Sequence, residues 1–147
     1  MVRHKDTRMT NTTNRLRPGK AYEHTIFGLL TVEGFDVYHP IVDDQAIDGI
    51  IRVRGEGAHS PRYFELQVKG SKTWGGIRCK VQKLTKQGVL ILYCAAEREI
   101  LWFLYEELAS LFPTRNPEWV DIFLNKEIVA RYKAEGRDKP AELLKRL

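Results

Sequence analysis

The chain has 147 residues, of which 43% are hydrophobic and 29% charged, with a formal net charge of +5. This balance is typical of one globular domain and excludes a disordered chain. No apolar run is long enough to cross a bilayer, and the polar opening MVRHKDTRMTNTTNRLRPGK lacks the apolar segment of a secretory signal. Cys79 and Cys94 follow no CxxC spacing, which favours buried free thiols. We therefore expect a cytoplasmic protein without a membrane anchor.

The excess positive charge lies at the start of the chain. Residues 1–20 contain six basic side chains and one acidic side chain, Asp6, whereas residues 21–147 contain 18 of each sign. A basic arm of this kind suits a polyanion, and a solvated tail without a partner is the alternative. We expect a flexible basic arm over 1–18 and a single domain over 19–147.

The first half of this domain shows one helical pattern and three strand patterns. Tyr22, Ile26 and Leu29 recur at helical spacing, and Gly34 ends the run. The segments that follow alternate or are rich in β-branched residues, and acidic or glycine-rich turns separate them. The predicted elements are a helix over about 19–33 and strands at 35–42, 47–54 and 62–69.

The second half begins with an ambiguous segment, 70–87. Its Trp74-Gly75-Gly76 argues against a continuous helix, while the residues from Ile77 onward alternate as in a strand. The later predicted elements are a strand at 89–95 buried on both faces, a strand at 99–105, a short helix in EELASLF, a helix over 117–134 with Asn116 as N-cap and Pro117 at its first position, and a last helical turn or two in PAELLKRL. This order of elements predicts a single α/β or α+β domain.

The strands at 47–54 and 62–69 agree on one antiparallel register. The apolar residues occupy odd positions in the first strand and even positions in the second. If both sets face one core, the numbers of opposed residues must sum to an odd number. A sum near 115 places Ile51 opposite Phe64.

The same register gathers polar side chains on the other face of the hairpin. Asp48 is placed opposite Gln67, with Glu65 and Lys69 beside them, and opposed Cβ atoms lie ~5 Å apart, close enough to share a metal ion or a phosphate. Asp is disfavoured inside a strand, which favours a functional role for Asp48 over a role in the preceding turn. For Lys69 alone, protection of an edge strand is the structural alternative.

These residues carry a resemblance to a known family. An Asp on one strand, then an acid or amide, one apolar residue and a Lys on the next, with a Glu on a preceding helix, resembles the PD-(D/E)XK nuclease superfamily. The matching residues are Glu23, Asp48 and Gln67-Val68-Lys69, within a resemblance that covers about 15–95 and is nearest to branches with Gln in the second position. The chain departs from the pattern in two places: Ile47 stands where Pro usually precedes the Asp, and GSKTWGGIRCKV poorly supports the expected connecting helix.

The resemblance implies a restriction-endonuclease-like α/β core, in which a central mixed β-sheet is flanked by helices. It further implies a Mg²⁺-dependent DNA endonuclease, with Mn²⁺ able to substitute. The implied catalytic residues are Asp48, Gln67, Lys69 and Glu23, and the implied metal ligands are Asp48, Gln67, the Val68 carbonyl and either Glu23 or Glu65. In this interpretation Lys69 orients the attacking water or offsets charge in the transition state.

The expected partners are DNA and a second copy of the chain. The homodimer is inferred from need, because cleavage of a duplex with one metal site per chain requires two chains, and no motif indicates it. The candidate DNA contacts are Arg3, Lys5, Arg8, Arg15, Arg17, Lys20, Lys72, Arg78, Lys80 and Lys83, and a solvated basic face is the alternative for those after the site. Two other functions stay open: a non-catalytic nucleic-acid-binding module on the same fold, and a nuclease subunit that cleaves only with a partner.

Overall fold

The computed structural model describes residues 12–40, 47–75, 77–84 and 87–147. In chain order the elements are α1 (Thr12–Val32), β1 (Asp36–Tyr38), β2 (Gly49–Val53), β3 (Arg62–Ser71), β4 (Ile77–Lys80), a 3₁₀ turn (Val81–Leu84), β5 (Gly88–Cys94), β6 (Glu99–Leu104), α2 (Tyr105–Leu111), β7 (Trp119–Ile122), α3 (Lys126–Ala134) and α4 (Pro140–Arg146). Within these ranges the strands form a five-stranded sheet in the order β1-β2-β3-β5-β6 and a two-stranded sheet of β4 and β7.

The five-stranded sheet is mixed. Strands β1, β2 and β3 form an antiparallel meander, β3 runs parallel to β5, and β5 runs antiparallel to β6. Pairing between β2 and β3 places Ile51 opposite Phe64, and every pair in this ladder sums to 115. The register predicted from the alternation of apolar residues is therefore confirmed.

Each face of the sheet has its own hydrophobic core. On the first face, Ile26, Phe27 and Leu30 of α1 pack against a cluster that includes Ile51 and Phe64. The second core lies between the other face of β5 and β6 and the layer formed by α2, α3, β4 and β7. Strand β5 contributes to both cores, so the prediction that it is buried on both faces is confirmed.

Helix α1 begins earlier than its sequence predicts. The expected start was the Pro18-Gly19 pair, because proline lacks the N–H that a helix interior uses. The observed helix begins at Thr12 and runs through both residues. Arg15 and Arg17 therefore lie on a helical backbone, inside the 1–18 segment that was predicted to be a flexible arm.

The predicted helix over 117–134 is wrong in its first half. Its first half is strand β7, because Val120 and Ile122 alternate into the second core and pair with β4. The side chain of Asn116 accepts a hydrogen bond from Glu118 N–H at 2.9 Å, as in a turn. The N-cap is instead Asn125, which accepts a hydrogen bond from Ile128 N–H at 2.8 Å.

The ambiguous segment between β3 and β5 contains β4 and the 3₁₀ turn. The alternating residues from Ile77 onward form the strand that their pattern indicated, and the described part of the segment contains no connecting α-helix. Cys79 and Cys94 are both buried free thiols, as predicted.

Candidate functional site

Asp48 lies immediately before the first residue of β2, beside a part of β3 that extends past the β2–β3 ladder. The β2–β3 ladder ends at the Gly49–Leu66 pair. Asp48 N–H donates to the Leu66 carbonyl at 2.9 Å, and the Asp48 carboxylate accepts a hydrogen bond from Val68 N–H at 2.6 Å. Beyond the end of the ladder, the Asp48 carboxylate therefore accepts the hydrogen bond that a further residue of β2 would accept from β3. This bond to the main chain of β3 fixes the orientation of the carboxylate.

The side chains of β3 divide between the two faces of the sheet. Val68 points into the first core, so Gln67 and Lys69 point to the opposite face, which the β2–β3 register also assigns to Asp48. Gln67 is 5% exposed, whereas Lys69 is exposed. The Val68 carbonyl points to the same side of the strand as its N–H, toward Asp48. Alternation and register thereby bring the predicted strand residues to one place.

Glu23 reaches this place from α1. Its carboxylate forms an ion pair with Lys20 at 3.0 Å and lies close enough to the Asp48 side chain to raise the pKa of Asp48. Burial is the largest cause that raises the pKa of Asp48, and the neighbouring Glu23 carboxylate also raises it, whereas Val68 N–H and the Lys69 charge lower it. The net result is a pKa of about 6. Two carboxylates crowded beside one amine form an arrangement that a cation would stabilise.

Two glycines allow α1 to lie close to the strands that carry the site. A side chain at Gly70 would overlap the ring of Tyr22, and a Cβ at Gly49 would lie 3.0 Å from the ring of Phe27. Tyr22 precedes Glu23 on the helix, so its contact with Gly70 sets how far Glu23 reaches. No local pattern in the sequence indicates the role of these glycines, because each contacts a residue more than twenty positions away in the chain.

Tyr105 is a further polar group near the site that the sequence analysis missed. Its hydroxyl is buried and, within the described residues, has no hydrogen-bond partner. Burial raises the pKa of Tyr105, and the charges of Glu65 and Asp48 raise it further. A side chain at Gly88 would overlap the Tyr105 ring, so this glycine makes room for it. The group therefore stays a protonated donor beneath an acidic face.

Comparison with known proteins bears on this fold. No family model and no curated protein matches the sequence. The structure is similar to that of Hjc, a Holliday junction resolvase from Archaeoglobus fulgidus, with a TM-score of 0.54, 15% identity, and 82% of this chain and 97% of that chain covered. It is also similar to the bacterial homing endonuclease I-Ssp6803I, with a TM-score of 0.52, 12% identity, and 86% and 89% covered.

The fold is that of the restriction-endonuclease-like nucleases. The mixed central sheet flanked by helices, expected from the resemblance, is confirmed. Identities of 12% and 15% support the fold alone and do not indicate the chemistry of the site.

The donor set restricts which metal the site could hold. Among the described residues, no group of three or more His, Cys, Asp and Glu side chains is arranged for a metal ion. Two carboxylates, Asp48 and Glu23, converge here, and the remaining donors are neutral oxygens of the Gln67 amide and the Val68 carbonyl. An all-oxygen set with few charges suits Mg²⁺, which retains several waters when it binds.

The predicted DNA contacts are placed only in part. Lys20 pairs with Glu23, Lys72 is exposed just beyond β3, and Arg78 pairs with Asp121 at 2.5 Å. Within the described ranges, no helix is both long and apolar enough to span a membrane. The remaining candidates lie outside the described residues or have side chains that do: Arg3, Lys5, Arg8, Arg15, Arg17, Lys80 and Lys83.

Proposed function

We propose that this chain is a Mg²⁺-dependent endonuclease that hydrolyses phosphodiester bonds in DNA. The observation that carries the proposal is the Asp48 carboxylate, which β3 orients and which Glu23 and Lys69 approach closely enough to shift its pKa. The similarity to a resolvase and a homing endonuclease supports a DNA-cleaving activity on this fold.

Each residue has a role that follows from its position. Asp48, the Gln67 amide oxygen and the Val68 carbonyl would hold the metal, with Glu23 supplying the second negative charge that a neutral Gln67 does not. These residues would place a Mg²⁺ ion where its charge could polarise the scissile phosphate and lower the pKa of a water. The exposed amine of Lys69 orients that water and offsets the charge that develops on the phosphate. Glu65, partly buried on the same face, is the alternative to Glu23 as a supporting ligand.

The test is cleavage of plasmid DNA with Mg²⁺ or Mn²⁺ by the wild type and Lys69→Ala. Lys69 is exposed and contributes nothing to either core, so we expect Lys69→Ala to lower the cleavage rate about 10²-fold or more without changing the thermal midpoint. The matched control is Lys72→Ala, because Lys72 is an exposed lysine three residues further along the chain. It removes the same charge and should retain cleavage at saturating DNA.

Three outcomes would contradict the proposal. Equal loss of cleavage in both lysine variants would indicate general charge rather than chemistry at Lys69. A wild type that binds DNA but cleaves none with either metal, while Asp48→Ala binds equally well, would favour a non-catalytic binding module. Cleavage that appears only with an added protein would favour a partner-dependent subunit.

We extend the proposal to a homodimer, because one metal site per chain cuts only one strand of a duplex. Sedimentation of the protein with and without a duplex would test this part separately.

A further inference from the structure

The face of the sheet that carries Asp48 continues past the site along β1, β2 and β3. Pairing places Tyr38 opposite Ile50, and Arg52 opposite Tyr63, at positions that share this face. Tyr38 is 50% exposed and Tyr63 is 56% exposed. We call these three side chains, Tyr38, Arg52 and Tyr63, the Tyr-Arg-Tyr patch.

The patch lies on a half of the sheet that the second core leaves uncovered. Among the described residues, that core draws its strand residues from β4, β5, β6 and β7, and none from β1 or β2. The sheet is therefore open beside the packed layer, with a small cavity of about 250 Å³ lined by Ile50, Tyr63 and Glu65 among others. The patch therefore lies on an exposed part of the same sheet face that carries Asp48.

Arg52 is the cation of this patch, and one of its donors has no partner among the described residues. Its Nε is buried and, in the described part of the chain, has no hydrogen-bond partner. The guanidinium hydrogen-bonds the Tyr38 hydroxyl and lies 3.8 Å from Asp36, a distance too long for a strong hydrogen bond. A buried donor without a partner is costly, which favours a ligand with an acceptor at this point.

The position of Arg52 suits a phosphate group of a bound nucleic-acid strand. Arg52 lies four positions after Asp48 along the chain, or about 13 Å away at the usual rise of a strand. A guanidinium between two tyrosines matches a phosphate flanked by sugars or bases, because its fork binds phosphate oxygens and the rings offer stacking surfaces and hydroxyl donors. A second copy docked here would bring the acidic groups Asp48, Glu23 and Glu65 of both chains together, which like-charge repulsion disfavours.

We propose that the Tyr-Arg-Tyr patch binds the backbone of the DNA strand that is cleaved, with Arg52 on a phosphate a short distance along the strand from the scissile one. The inference rests on the proposed function, because that function places the scissile phosphate at Asp48. It adds a DNA-binding surface that is separate from the basic residues of the arm.

The experiment measures binding of the full chain to a short labelled duplex in EDTA, over a range of salt concentrations. Arg52→Gln should bind about tenfold more weakly, and the slope of log affinity against log salt should fall by about 0.9. Arg52→Lys should keep the slope and recover only part of the affinity, because an amine lacks the guanidinium fork. The matched control is Arg54→Gln, which removes an arginine that also pairs with Asp36 but is 81% exposed; its binding should change less than about twofold.

Two results would overturn the patch. One is an Arg52→Gln variant that binds like the wild type, or no more weakly than Arg54→Gln. The other is a loss of self-association in Arg52→Gln with DNA binding unchanged, which would assign the face to a second copy. The assay contains no metal, so it separates the two proposals. If the wild type cleaves DNA and Arg52→Gln binds DNA normally, only the patch proposal is rejected. If Arg52→Gln binds DNA weakly and the wild type does not cleave, only the nuclease proposal is rejected.

Discussion

Asp48 is ionised at neutral pH at the expense of folding stability. Its pKa rises from 3.8 to about 6 in the folded chain, so the folded state binds a proton that the unfolded state releases between these values. The contribution of Asp48 to stability is therefore full below about pH 3.8 and is lost as the pH rises through about 6. In the absence of divalent metal, we expect Asp48→Asn to raise the free energy of unfolding by about 1–2 kcal/mol at pH 7, allowing for solvent that screens the exposed part of the carboxyl.

Urea denaturation of both proteins at pH 7 and at pH 3.5 checks this. The gain should be close to zero at the lower pH, because Asp48 is then mostly protonated in both states. Asp121→Asn is the control, since Asp121 forms an ion pair with an exposed arginine and its substitution should not raise the stability at pH 7. Equal stability of Asp48→Asn and the wild type at pH 7 would contradict a strained carboxylate.

The sequence predicted the strand residues of the site because they obey a simple local rule. Alternation in two neighbouring strands determined the register, and the register placed Asp48 near Gln67 and Lys69 on one face. Tyr105 could not be predicted in this way. It comes to the site from the start of α2, through a space that Gly88 leaves open, and no spacing in the sequence records that contact.

At the scale of elements, the contact between α1 and β3 depends on the absence of a side chain at Gly70. A methyl group there would overlap the Tyr22 ring, so Gly70→Ala must displace the ring or the helix. We expect the free energy of unfolding to fall by about 1–3 kcal/mol, and cleavage to fall further than stability explains, because Glu23 moves with Tyr22. Chemical denaturation and plasmid cleavage below the unfolding transition measure the two effects.

Gly28→Ala is the control for this substitution. A Cβ at Gly28 meets nothing within 4 Å, and alanine is the better helix former by about 1 kcal/mol, so this variant should be slightly more stable and fully active. Replacing Tyr22 by Leu in the Gly70→Ala background should restore part of the lost stability. If Gly70→Ala cleaves DNA at the wild-type rate, the spacing of α1 does not set the position of Glu23.

Element prediction failed where two signals competed. Pro117 and Asn116 are typical of a helix start, yet the alternation of Val120 and Ile122 wins, because β7 pairs with β4 and buries both residues in the second core. Local propensity is weak against that burial. Strand β4 lies in the segment whose sequence was ambiguous. The same pairing stabilises it, and its partner β7 lies about forty residues later in the chain.

At the scale of the whole molecule, the C-terminal segment is joined to the sheet through a buried arginine. Arg137 is 7% exposed, donates to both carboxylate oxygens of Glu107 at 2.9 and 3.1 Å, and stacks on the rings of Trp102 and Tyr132. Burial alone would raise the pKa of Glu107, but hydrogen bonds from Arg137 and from Leu104 N–H outweigh it and lower the pKa to about 2. One carboxylate thus links α2, β6 and the segment before α4.

We expect Glu107→Gln to lower the free energy of unfolding by about 1–3 kcal/mol, because it removes one of the two carboxylates that pair with the buried Arg137 charge and leaves only Glu135. The lowered pKa also gives a pH signature. The contribution of Glu107 is present above about pH 4.5 and is lost as the pH falls toward 2, so the wild type should lose stability over this window and the variant less. Denaturation between pH 2 and pH 7 measures both, with the exposed neighbour Glu106→Gln as control.

A stability difference that is the same at pH 2.5 and pH 7 would contradict an ionised Glu107 in this link. Its long range explains why the sequence did not reveal it. Glu107 and Arg137 are separated by 30 residues, and neither belongs to a periodic pattern that would place them together.

The basic start of the chain makes a separate prediction for the whole molecule. Helix α1 begins at Thr12, so deleting residues 1–11 removes Arg3, Lys5 and Arg8 and leaves the helix intact. If each of these side chains neutralises a phosphate, the slope of log affinity against log salt should fall by up to about 2.7, and binding should weaken nearly equally for all DNA sequences. Turnover at saturating DNA should persist, because Asp48, Gln67 and Lys69 remain. A full-length chain with the three basic residues replaced by Gln is the matched control, since it keeps the length and removes the charge. The same salt slope in the wild type and both variants would show that this segment is a solvated tail.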